Sequence, residues 1–235
     1  YEKLIKKKIK RFPTAYLLEN KEFYSMNFKV NENTLIPRSE TEILIEEIKK
    51  NFKSRKRFSV LDLGTGTGCI LLSILKEFKN AIGIGIDKYL ETIKVAKINS
   101  KKNHLSKRAK FINLDWNKKN FFKEILKINK KFCGNGKFHL VVSNPPYIER
   151  KEMNNLMQEV KFEPKVALDG GHDGLRSYKK IFSQLKIILS KKGSIFFEID
   201  PNKAGKIKKI LETEGFKQIT FLKDLLNKKR AVFAK

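Results

Sequence analysis

Short apolar runs alternate with amphipathic stretches along the chain from Phe58 onwards. Apolar runs bounded by polar or glycine breaks predict buried strands, and apolar positions that repeat every three to four residues predict helices. The predicted strands are 58–63, 81–86, 110–114, 138–143 and 194–199. The predicted helices are about 68–79, 89–103, 119–130, 174–191 and 202–214. This alternation predicts an α/β fold in which a parallel sheet carries helices on both faces.

Two further strands are predicted near the C-terminus, at 217–222 and 230–234. The connection between them is too short for a parallel crossover, so this pair must be antiparallel. We therefore expect a seven-stranded, Rossmann-like sheet that is mostly parallel and has one antiparallel C-terminal strand. Gly193 and Gly215 are expected to lie just past the ends of the last two helices.

The N-terminal part has a different pattern. Residues 1–12 are basic and partly apolar, and we interpret them as the end of a helical region that Pro13 breaks. The chain begins at Tyr1 rather than Met, so we expect its natural N-terminus to be missing. Loose alternation over 22–30, interrupted at 25–27, predicts a short β-hairpin.

Ser39 and Glu42 have the spacing of a capping box, with Ser39 as the N-cap, and predict a helix that continues to Phe52. The chain then divides into a remnant or linker at 1–12, a hairpin segment at 13–38 and one large α/β domain at 39–235.

Composition excludes several classes of protein. A chain of 235 residues fits one large domain, or one domain with an appendage. The longest apolar stretch, Ile70 to Leu75, is too short to span a membrane, and no membrane association is expected. Cys69 and Cys133 are far apart and lack CxxC spacing, and the three histidines are scattered, so neither a disulfide nor a metal site is expected.

The formal net charge is +27, mostly because of lysine. Such a charge favours contact with polyanions such as RNA or DNA. A/T-rich coding sequence would also produce this excess of Lys, without selection for binding. The basic runs at 6–11, 53–57, 101–110 and 228–230 are spread along the chain, so both interpretations stay open.

The first strand of the α/β region ends in a glycine-rich turn with the sequence Asp62-Leu63-Gly64-Thr65-Gly66-Thr67-Gly68. Glycines at a strand-to-helix turn let a ligand approach the backbone, and the helix N-terminus favours negative charge. The spacing differs from the GxGxxG of dinucleotide sites, and no Lys-Ser/Thr follows as in a phosphate-binding loop. It suits S-adenosylmethionine, which lacks a pyrophosphate but carries a carboxylate and a cationic centre.

Acidic residues follow the next two strands. Asp87 lies about 20 residues past the glycines, where a carboxylate accepts hydrogen bonds from ribose hydroxyls. Asp115 and Trp116 suit the edge and the face of an adenine. Ligands of open α/β sheets bind at the carboxyl ends of strands, so we expect these residues to share one crevice. Taken singly, Asp87 is equally explained as a cap of the next helix, and Trp116 as a core residue.

The fourth strand ends in Asn144-Pro145-Pro146-Tyr147, which should reach the same crevice. Two consecutive prolines lack N–H groups and hold φ fixed, so this turn is stiff and cannot extend the sheet. The Asn144 amide, the free carbonyls of the turn and the flat Tyr147 ring would together hold a planar group that carries an NH2. In isolation, the segment is equally a strand that ends in a proline-rich turn.

With these motifs the chain resembles class I methyltransferases that modify a planar nitrogen. Its flanking segments are similar, more specifically, to the HemK/PrmC family of release-factor glutamine methyltransferases. The segments that carry this resemblance are 14–18, 22–24, 34–42, 163–171 and 173–175. The resemblance runs from about residue 13 to the end. Family members usually have an N-terminal helical domain, of which 1–12 would be the remnant.

The resemblance implies an enzyme that transfers a methyl group from S-adenosylmethionine to the side-chain nitrogen, N5, of a glutamine. The substrate would be the Gly-Gly-Gln loop of a class 1 peptide chain release factor, in translation termination. The implied cofactor-binding residues are Gly64, Thr65, Gly66, Thr67, Gly68, Asp87, Asp115, Trp116 and Asn144. The implied catalytic and glutamine-binding residues are Asn144, Pro145, Pro146 and Tyr147, with Arg38 and Glu40 in a pocket wall that admits a peptide loop.

The chain departs from the family pattern at Ser39, at Asp200 and over 227–230. The family usually has proline at the first position and glycine at the second. The change to Ser39 is mild because serine is a good helix cap. The other two bear on the C-terminal strands rather than on the site.

Two other functions stay open. An enzyme that methylates an exocyclic amine of adenine or guanine in RNA or DNA would fit the charge and the Asn-Pro-Pro-Tyr motif, but no base-binding appendage is visible. A non-enzymatic RNA-binding module would not bind the cofactor. For the favoured function nucleic acid is not required, although the basic surface could contact RNA. We expect a monomer in the bacterial cytoplasm, or in an organelle matrix if the source is eukaryotic.

Overall fold

The computed structural model describes residues 2–52, 57–134, 136–224 and 226–235. Residues 53–56, most of one basic run, lie outside these ranges, as does Tyr1 of the 1–12 segment. The strands are β1 (Asn20–Phe23), β2 (Met26–Lys29), β3 (Phe58–Leu63), β4 (Ala81–Asp87), β5 (Ala109–Asn113), β6 (Phe138–Ser143), β7 (Leu189–Glu198), β8 (Ile219–Lys223) and β9 (Lys229–Ala234). The α-helices are α1 (Glu2–Ile9), α2 (Thr14–Leu17), α3 (Glu42–Phe52), α4 (Cys69–Glu77), α5 (Leu90–Lys102), α6 (Phe121–Cys133), α7 (Arg176–Ile188) and α8 (Ala204–Thr213). Short 3₁₀ helices lie at Ser39–Thr41, Arg150–Asn155, Val160–Phe162, Lys165–Ala167 and Pro201–Lys203.

Seven strands form one sheet in the order β5-β4-β3-β6-β7-β9-β8. The pairs from β5 across to β7 are parallel, and β9 is antiparallel to both of its neighbours. The predicted α/β fold, with one antiparallel C-terminal strand, is confirmed. Strand order reverses between β3 and β6, and a ligand crevice of an open α/β sheet forms at such a switch point.

The sheet separates two apolar clusters. Successive side chains of a strand point to opposite faces, so Val60 packs in one cluster and Leu61 in the other. The first cluster draws on α3, α4, α5 and the N-terminal hairpin, and the second on α6, α7 and α8. Because β3 and β6 are covered on both faces, they have the continuous apolar sequences from which they were predicted.

The N-terminal hairpin pairs β1 with β2 outside the main sheet. Its turn is Tyr24-Ser25, and both residues have positive φ, 50° and 52°. This is the backbone that tight hairpins of right-handed twist require. The predicted hairpin is confirmed, although its turn begins one residue earlier than the interruption at 25–27. Phe23, Met26 and Phe28 are buried against the first cluster.

The predicted capping box at Ser39 is wrong. Ser39 lies inside the 3₁₀ helix, its N-cap residue is Arg38, and no side chain caps that helix. The Glu42 carboxylate instead accepts a hydrogen bond of 2.9 Å from the backbone N–H of Tyr24. Glu42 therefore satisfies a donor in the hairpin turn, and this tertiary contact outweighs the local one.

Gly193 does not end a helix, contrary to the prediction. Helix α7 stops at Ile188, and Gly193 lies within β7, which begins at Leu189. The pairing with β6 is irregular between Phe138 and Leu140, where four residues of β7, 190–193, lie opposite a single residue of β6. Because residues 190–193 are polar or glycine, the sequence pattern did not predict that β7 begins before Ser194. Gly215 does follow the end of α8, with a positive φ of 78°.

No helix in the described part of the chain is both long enough and apolar enough to cross a membrane. Over the same residues there is no group of three His, Cys, Asp or Glu side chains that could hold a metal ion. Cys69 and Cys133 are both buried free thiols.

Candidate active site

A cleft of about 740 Å³ opens where β3, β4, β5 and β6 end. Parallel strands present their carboxyl ends at one edge of the sheet, so the residues that follow each strand meet there. The predicted site residues that line the cleft are Gly64, Gly66, Asp87, Asp115, Trp116, Asn144 and Pro146. The structure thus brings together residues from four separate strand ends.

The glycine-rich turn presents bare backbone to the cleft. Gly64, Gly66 and Gly68 have φ values of 71°, 55° and 82°, which side chains rarely adopt. A Cβ at Gly66 would meet no atom within 4 Å, so that position faces open space. A Cβ at Gly68 would lie 2.9 Å from the Phe111 ring, so this glycine serves packing rather than the cleft.

Thr65 and Thr67 point away from the cleft and hold the turn from below. Both are buried, and the Thr65 hydroxyl donates a 2.6 Å hydrogen bond to Asp62. The Thr67 carbonyl accepts a 2.9 Å hydrogen bond from the side-chain amide of Asn99. The same amide also pairs with the Lys29 backbone in the hairpin, at 2.6 and 3.0 Å. Asn99 therefore ties the hairpin to the turn, a role that the sequence did not predict.

Asp62 is fully buried beneath the turn. Burial raises the pKa of its carboxyl from 3.8 to about 7, although the hydrogen bond from Thr65 acts in the opposite direction. This acid supports the turn from below and does not line the cleft.

The Asp87 carboxylate links the glycine-rich turn to the start of α5. Its two oxygens accept hydrogen bonds from the backbone N–H groups of Gly66, at 3.2 Å, and Tyr89, at 3.1 Å. Burial raises the pKa of this carboxyl, which backbone hydrogen bonds partly offset. Since each carboxylate oxygen can accept more than one hydrogen bond, Asp87 can still bind hydroxyl groups in the cleft.

Asp115 and Trp116, which follow β5, also line the cleft. Asp115 accepts hydrogen bonds of 2.8 Å from the backbone and the side chain of Asn117, and its other oxygen lies 3.7 Å from the Lys88 ammonium. A Cβ placed on Gly64 would lie 3.4 Å from Cη2 and Cζ3 of the Trp116 indole. The ring therefore packs directly over the bare backbone of Gly64.

Asn144 and Pro146 are the members of the Asn-Pro-Pro-Tyr turn that line the cleft. Pro145 is buried, and the Tyr147 ring packs against the second apolar cluster. Hydrogen bonds that Ile148 makes with Leu168 and Gly170, at 3.0 and 2.8 Å, fasten the turn to the loop at 168–174.

Behind the turn lies a buried carboxylate, Glu198, at the end of β7; it is 4% exposed. It accepts hydrogen bonds from the hydroxyls of Tyr147, at 3.2 Å, and Thr41. The Thr41 hydroxyl in turn accepts a 3.3 Å hydrogen bond from the Asn144 side-chain amide. Burial raises the pKa of Glu198, and burial together with this carboxylate raises the pKa of Tyr147.

The sequence analysis did not identify Thr41 or Glu198. The available signal was an acidic residue at the end of the apolar run Ser194-Ile195-Phe196-Phe197, since a charge that ends a buried strand is unusual.

Arg38 and Glu40 do not line the cleft. Arg38 forms an ion pair with Glu163, whose other oxygen accepts a 3.0 Å hydrogen bond from the backbone N–H of Ile36. Glu40 is exposed, and its carboxylate accepts a 3.2 Å hydrogen bond from Ser39. Cleft-lining residues near Arg38 are Glu32, Asn33 and Leu35. The ion pair of Arg38 with Glu163 therefore helps to fix the position of the segment that contributes these three residues to the cleft.

Comparison with known proteins identifies the type of enzyme. A protein-family model described as a methyltransferase domain matches residues 54–220. The chain is similar to the release factor glutamine methyltransferase of Caulobacter vibrioides, with 34% identity over 97% of this chain and 75% of that protein. Its similarity to the protein of the same name from Clostridium acetobutylicum is 38% identity over 96% and 75%.

A solved structure shares the fold. The protein-(glutamine-N5) methyltransferase (release factor-specific) from Alicyclobacillus acidocaldarius superposes with a TM-score of 0.52 and 22% identity, over 88% of this chain and 98% of that one. At 22% identity this likeness shows the fold alone. The family is shown by the two sequence relatives, whose matches include nearly the whole chain. The chain belongs to the release factor glutamine methyltransferase family.

Proposed function

We propose that this enzyme transfers a methyl group from S-adenosylmethionine to N5 of the glutamine in the Gly-Gly-Gln loop of a class 1 peptide chain release factor. The observation that carries the proposal is the Asn144 amide, which faces the same cleft as the glycine-rich turn and Asp87. The names of the two close relatives supply the acceptor.

The cleft fits the proposed cofactor. Its volume of about 740 Å³ is within the range of small-molecule sites. The open space above Gly66 leaves room for a ligand against the backbone, and Asp87 is a half-buried carboxylate with acceptor capacity for ribose hydroxyls. Trp116 offers a flat wall for a purine. When bound, S-adenosylmethionine would supply an electrophilic methyl group on a sulfonium.

The remaining task of the protein is to orient the acceptor. An amide nitrogen is a poor nucleophile because its lone pair is delocalised into the carbonyl. Among the described residues, none donates a hydrogen bond to Asn144 Oδ1 or to the Pro145 carbonyl, so both can accept from the two N–H bonds of a glutamine side chain. Held in this way, the nitrogen would point in a fixed direction. Such orientation can lower a reaction barrier by on the order of 7–11 kcal/mol.

We assign no general base. The Glu198 carboxylate is hydrogen-bonded to the Thr41 and Tyr147 hydroxyls behind the turn. In this proposal the glutamine proton would pass to solvent water after methyl transfer, when the nitrogen carries a positive charge.

We further propose that residues 39–235 form the catalytic domain and that 13–38 form a substrate-side segment. Supporting contacts are the Arg38–Glu163 ion pair and the cleft-lining position of Leu35. Residues 1–12 would then belong to a helical appendage. The proposed enzyme acts as a monomer in the bacterial cytoplasm, where its substrate works.

A labelled-methyl assay tests the proposal. The purified chain is incubated with methyl-labelled S-adenosylmethionine and, in parallel, with a release factor, with the same factor carrying Ala in place of the Gly-Gly-Gln glutamine, and with RNA and DNA. We expect label on the intact release factor only. Label on nucleic acid alone would instead support the alternative acceptor, an exocyclic amine of adenine or guanine.

A further inference from the structure

Four side chains form one continuous hydrogen-bonded chain that begins at Asn144 in the cleft and reaches the buried Glu198 behind it. Asn144 donates to Thr41, Thr41 donates to Glu198, and Tyr147 donates to the other oxygen of Glu198. Glu198 ends β7 and Asn144 follows β6, which is its parallel neighbour in the sheet. Thr41 belongs to the 3₁₀ helix at 39–41. Three separate parts of the chain therefore meet at one buried carboxylate.

Counting hydrogens fixes the direction of this chain. When Glu198 is ionised, its carboxylate can only accept hydrogen bonds. The Thr41 and Tyr147 hydroxyls must therefore each donate their single hydrogen to Glu198. The Thr41 oxygen is then left as an acceptor, and only the NH2 end of the Asn144 amide can face it. The carbonyl end, Oδ1, must therefore turn away from Thr41, and this end is the one that an acceptor glutamine needs.

We propose that Glu198 is a positioning residue: through Thr41 it sets which end of the Asn144 amide is offered to the acceptor, and through Tyr147 it anchors the Asn-Pro-Pro-Tyr turn. The assignment rests on the proposed function for its catalytic consequence, although the amide orientation itself does not depend on the acceptor. Glu198 acts through Asn144 and does not touch the acceptor.

The charge of Glu198, rather than its shape, is what this role requires. The carboxylate has no ion-pair partner within 4.0 Å among the described residues. Arg230, a cation that lowers the pKa of Glu198, is itself bound to Asp224 at 2.8 Å. Other groups that face Glu198 are Glu40, the Cys69 thiol, the Tyr178 hydroxyl on its backbone carbonyl, and the hydroxyls of Thr41 and Tyr147. Burying a carboxylate whose only side-chain hydrogen bonds come from two hydroxyls costs free energy. That cost is explained if the site depends on a group that can only accept hydrogen bonds.

Glu198→Gln keeps the shape and removes that character. A carboxamide has one accepting oxygen and one donating NH2, so one of the two hydroxyls must reverse its direction. If Thr41 reverses, it turns its hydrogen towards Asn144 and favours the wrong end of that amide. If Tyr147 reverses, its oxygen accepts from the new NH2 and its own buried hydrogen loses its acceptor, which disturbs the turn. In either case we expect kcat to fall about 100-fold, since small misplacements of reacting groups cost that much.

The experiment measures kcat, KM and cofactor affinity for four variants with the release factor as substrate. Glu198→Gln and Thr41→Val should lose kcat while the Kd for S-adenosylmethionine changes less than about threefold. Thr41→Ser, which retains the hydroxyl, should recover most of the activity that Thr41→Val loses. Tyr178→Phe is the matched control, because it removes a buried hydroxyl that hydrogen-bonds Glu198 at its backbone carbonyl rather than at its carboxylate. Wild-type activity in Glu198→Gln would overturn the proposal.

A second measurement is independent of the substrate. In protein labelled with ¹⁵N at asparagine, the Asn144 side-chain NH2 resonance is identified by its loss in Asn144→Ala. It should shift in Thr41→Val and in Glu198→Gln but not in Tyr178→Phe. An unchanged resonance in all three would overturn the proposal even if no acceptor were methylated. Shifted resonances together with an inactive wild type would reject the proposed function and retain the amide orientation. If Glu198→Gln does not fold, Thr41→Val and Thr41→Ser decide both measurements.

Discussion

Asn144 is the residue on which the proposed chemistry depends most directly. Its carbonyl end is free of hydrogen bonds from the described residues, and its NH2 end is held by Thr41. The cofactor side of the cleft is built from other residues, mainly the backbone of Gly64 and Gly66 and the carboxylate of Asp87. In the proposed function, binding of the cofactor would therefore depend mainly on other residues than orientation of the acceptor does.

Asn144→Ala should separate these two functions. The variant loses the acceptor for a glutamine N–H but leaves the turn and Asp87 intact. Loss of one preorganised hydrogen-bonding group in an active site typically lowers kcat about 100- to 1000-fold. We expect a loss of this size, with the Kd for S-adenosylmethionine by calorimetry within a few-fold of wild type. Transfer at a near wild-type rate would show that Asn144 does not have the assigned role.

Asp62 contributes to stability in a pH-dependent manner. Its pKa is raised from 3.8 to about 7 by burial, so the folded protein holds this proton more tightly than the unfolded chain does. The favourable contribution is complete below pH 4 or so and is lost as pH rises towards 7. At about 1.4 kcal/mol for each unit of pKa, the loss is on the order of 4 kcal/mol.

Asp62→Asn tests this linkage. Asparagine does not titrate, and its side-chain oxygen can still accept the hydrogen bond of Thr65. Compared with wild type, the variant should gain unfolding free energy between pH 4 and 8 by an amount on the order of 4 kcal/mol. Urea unfolding of both proteins at several pH values measures the difference. A difference that stays constant over this range would show that Asp62 does not titrate in this way.

At the scale of elements, the loop at 168–174 fixes the position of the Asn-Pro-Pro-Tyr turn. Ile148 pairs with Asp169 in an isolated parallel bridge, which adds a short ladder beyond the end of β6. Gly170 fits so closely against the turn that a Cβ there would lie 2.7 Å from Tyr147 Cα. The contact is with backbone, which cannot move aside as a flexible side chain can.

Gly170→Ala should therefore displace the turn. Overpacking of this kind costs about 1–3 kcal/mol of stability, and we expect kcat to fall as Asn144 shifts. Gly205→Ala is the matched control, because a Cβ at Gly205, inside α8, meets no atom within 4 Å. That change should stabilise the helix by about 0.5–1 kcal/mol and leave kcat unchanged. Equal effects of the two substitutions on unfolding and activity would contradict the steric argument.

The elements were largely predictable from the sequence because most of the sheet is buried on both faces. Continuous apolar runs such as Phe138–Ser143 identify such strands, and the glycines and acids at strand ends identify the crevice. The start of β7 was missed because the polar residues before Ser194 have the sequence of a turn. The Thr41–Glu198 contact joins residues 157 positions apart and depends on which strands are neighbours, which no local pattern contains. Arg38 was expected in the pocket wall, but its partner Glu163 lies 125 residues away.

At the scale of the whole molecule, charge is the dominant feature. The chain has 52 Lys and Arg against 25 Asp and Glu, so 27 positive charges would remain even if every acid were paired. Ion pairs such as Lys94–Glu91 are exposed at both ends, with 59% and 56% of the side chains accessible. Pairs of this type contribute little to stability. Repulsion among the excess cations should therefore outweigh attraction within the pairs.

Added salt should consequently stabilise the protein. Raising NaCl from 20 to 300 mM shortens the screening length to well below 10 Å and weakens repulsion between exposed lysines. We expect Tm to rise by about 2–4 °C, equivalent to about 1 kcal/mol for a chain of this size. A fall in Tm would show that ion pairs, rather than net repulsion, dominate the surface.

The anion used in this experiment separates screening from binding. A recess of about 630 Å³ beside the cleft is lined by Arg150, His172, Arg176, Lys179 and Lys180 together with Asp173, which is paired with Lys179 at 2.6 Å, and a bound anion is tested for there. At equal ionic strength, NaCl and Na2SO4 should raise Tm equally if the effect is screening alone. A larger rise in sulfate that is lost in Lys180→Ala would locate an anion site in this recess. In that case part of the +27 charge would serve binding, whereas equal effects would favour the interpretation that the lysine excess reflects coding composition.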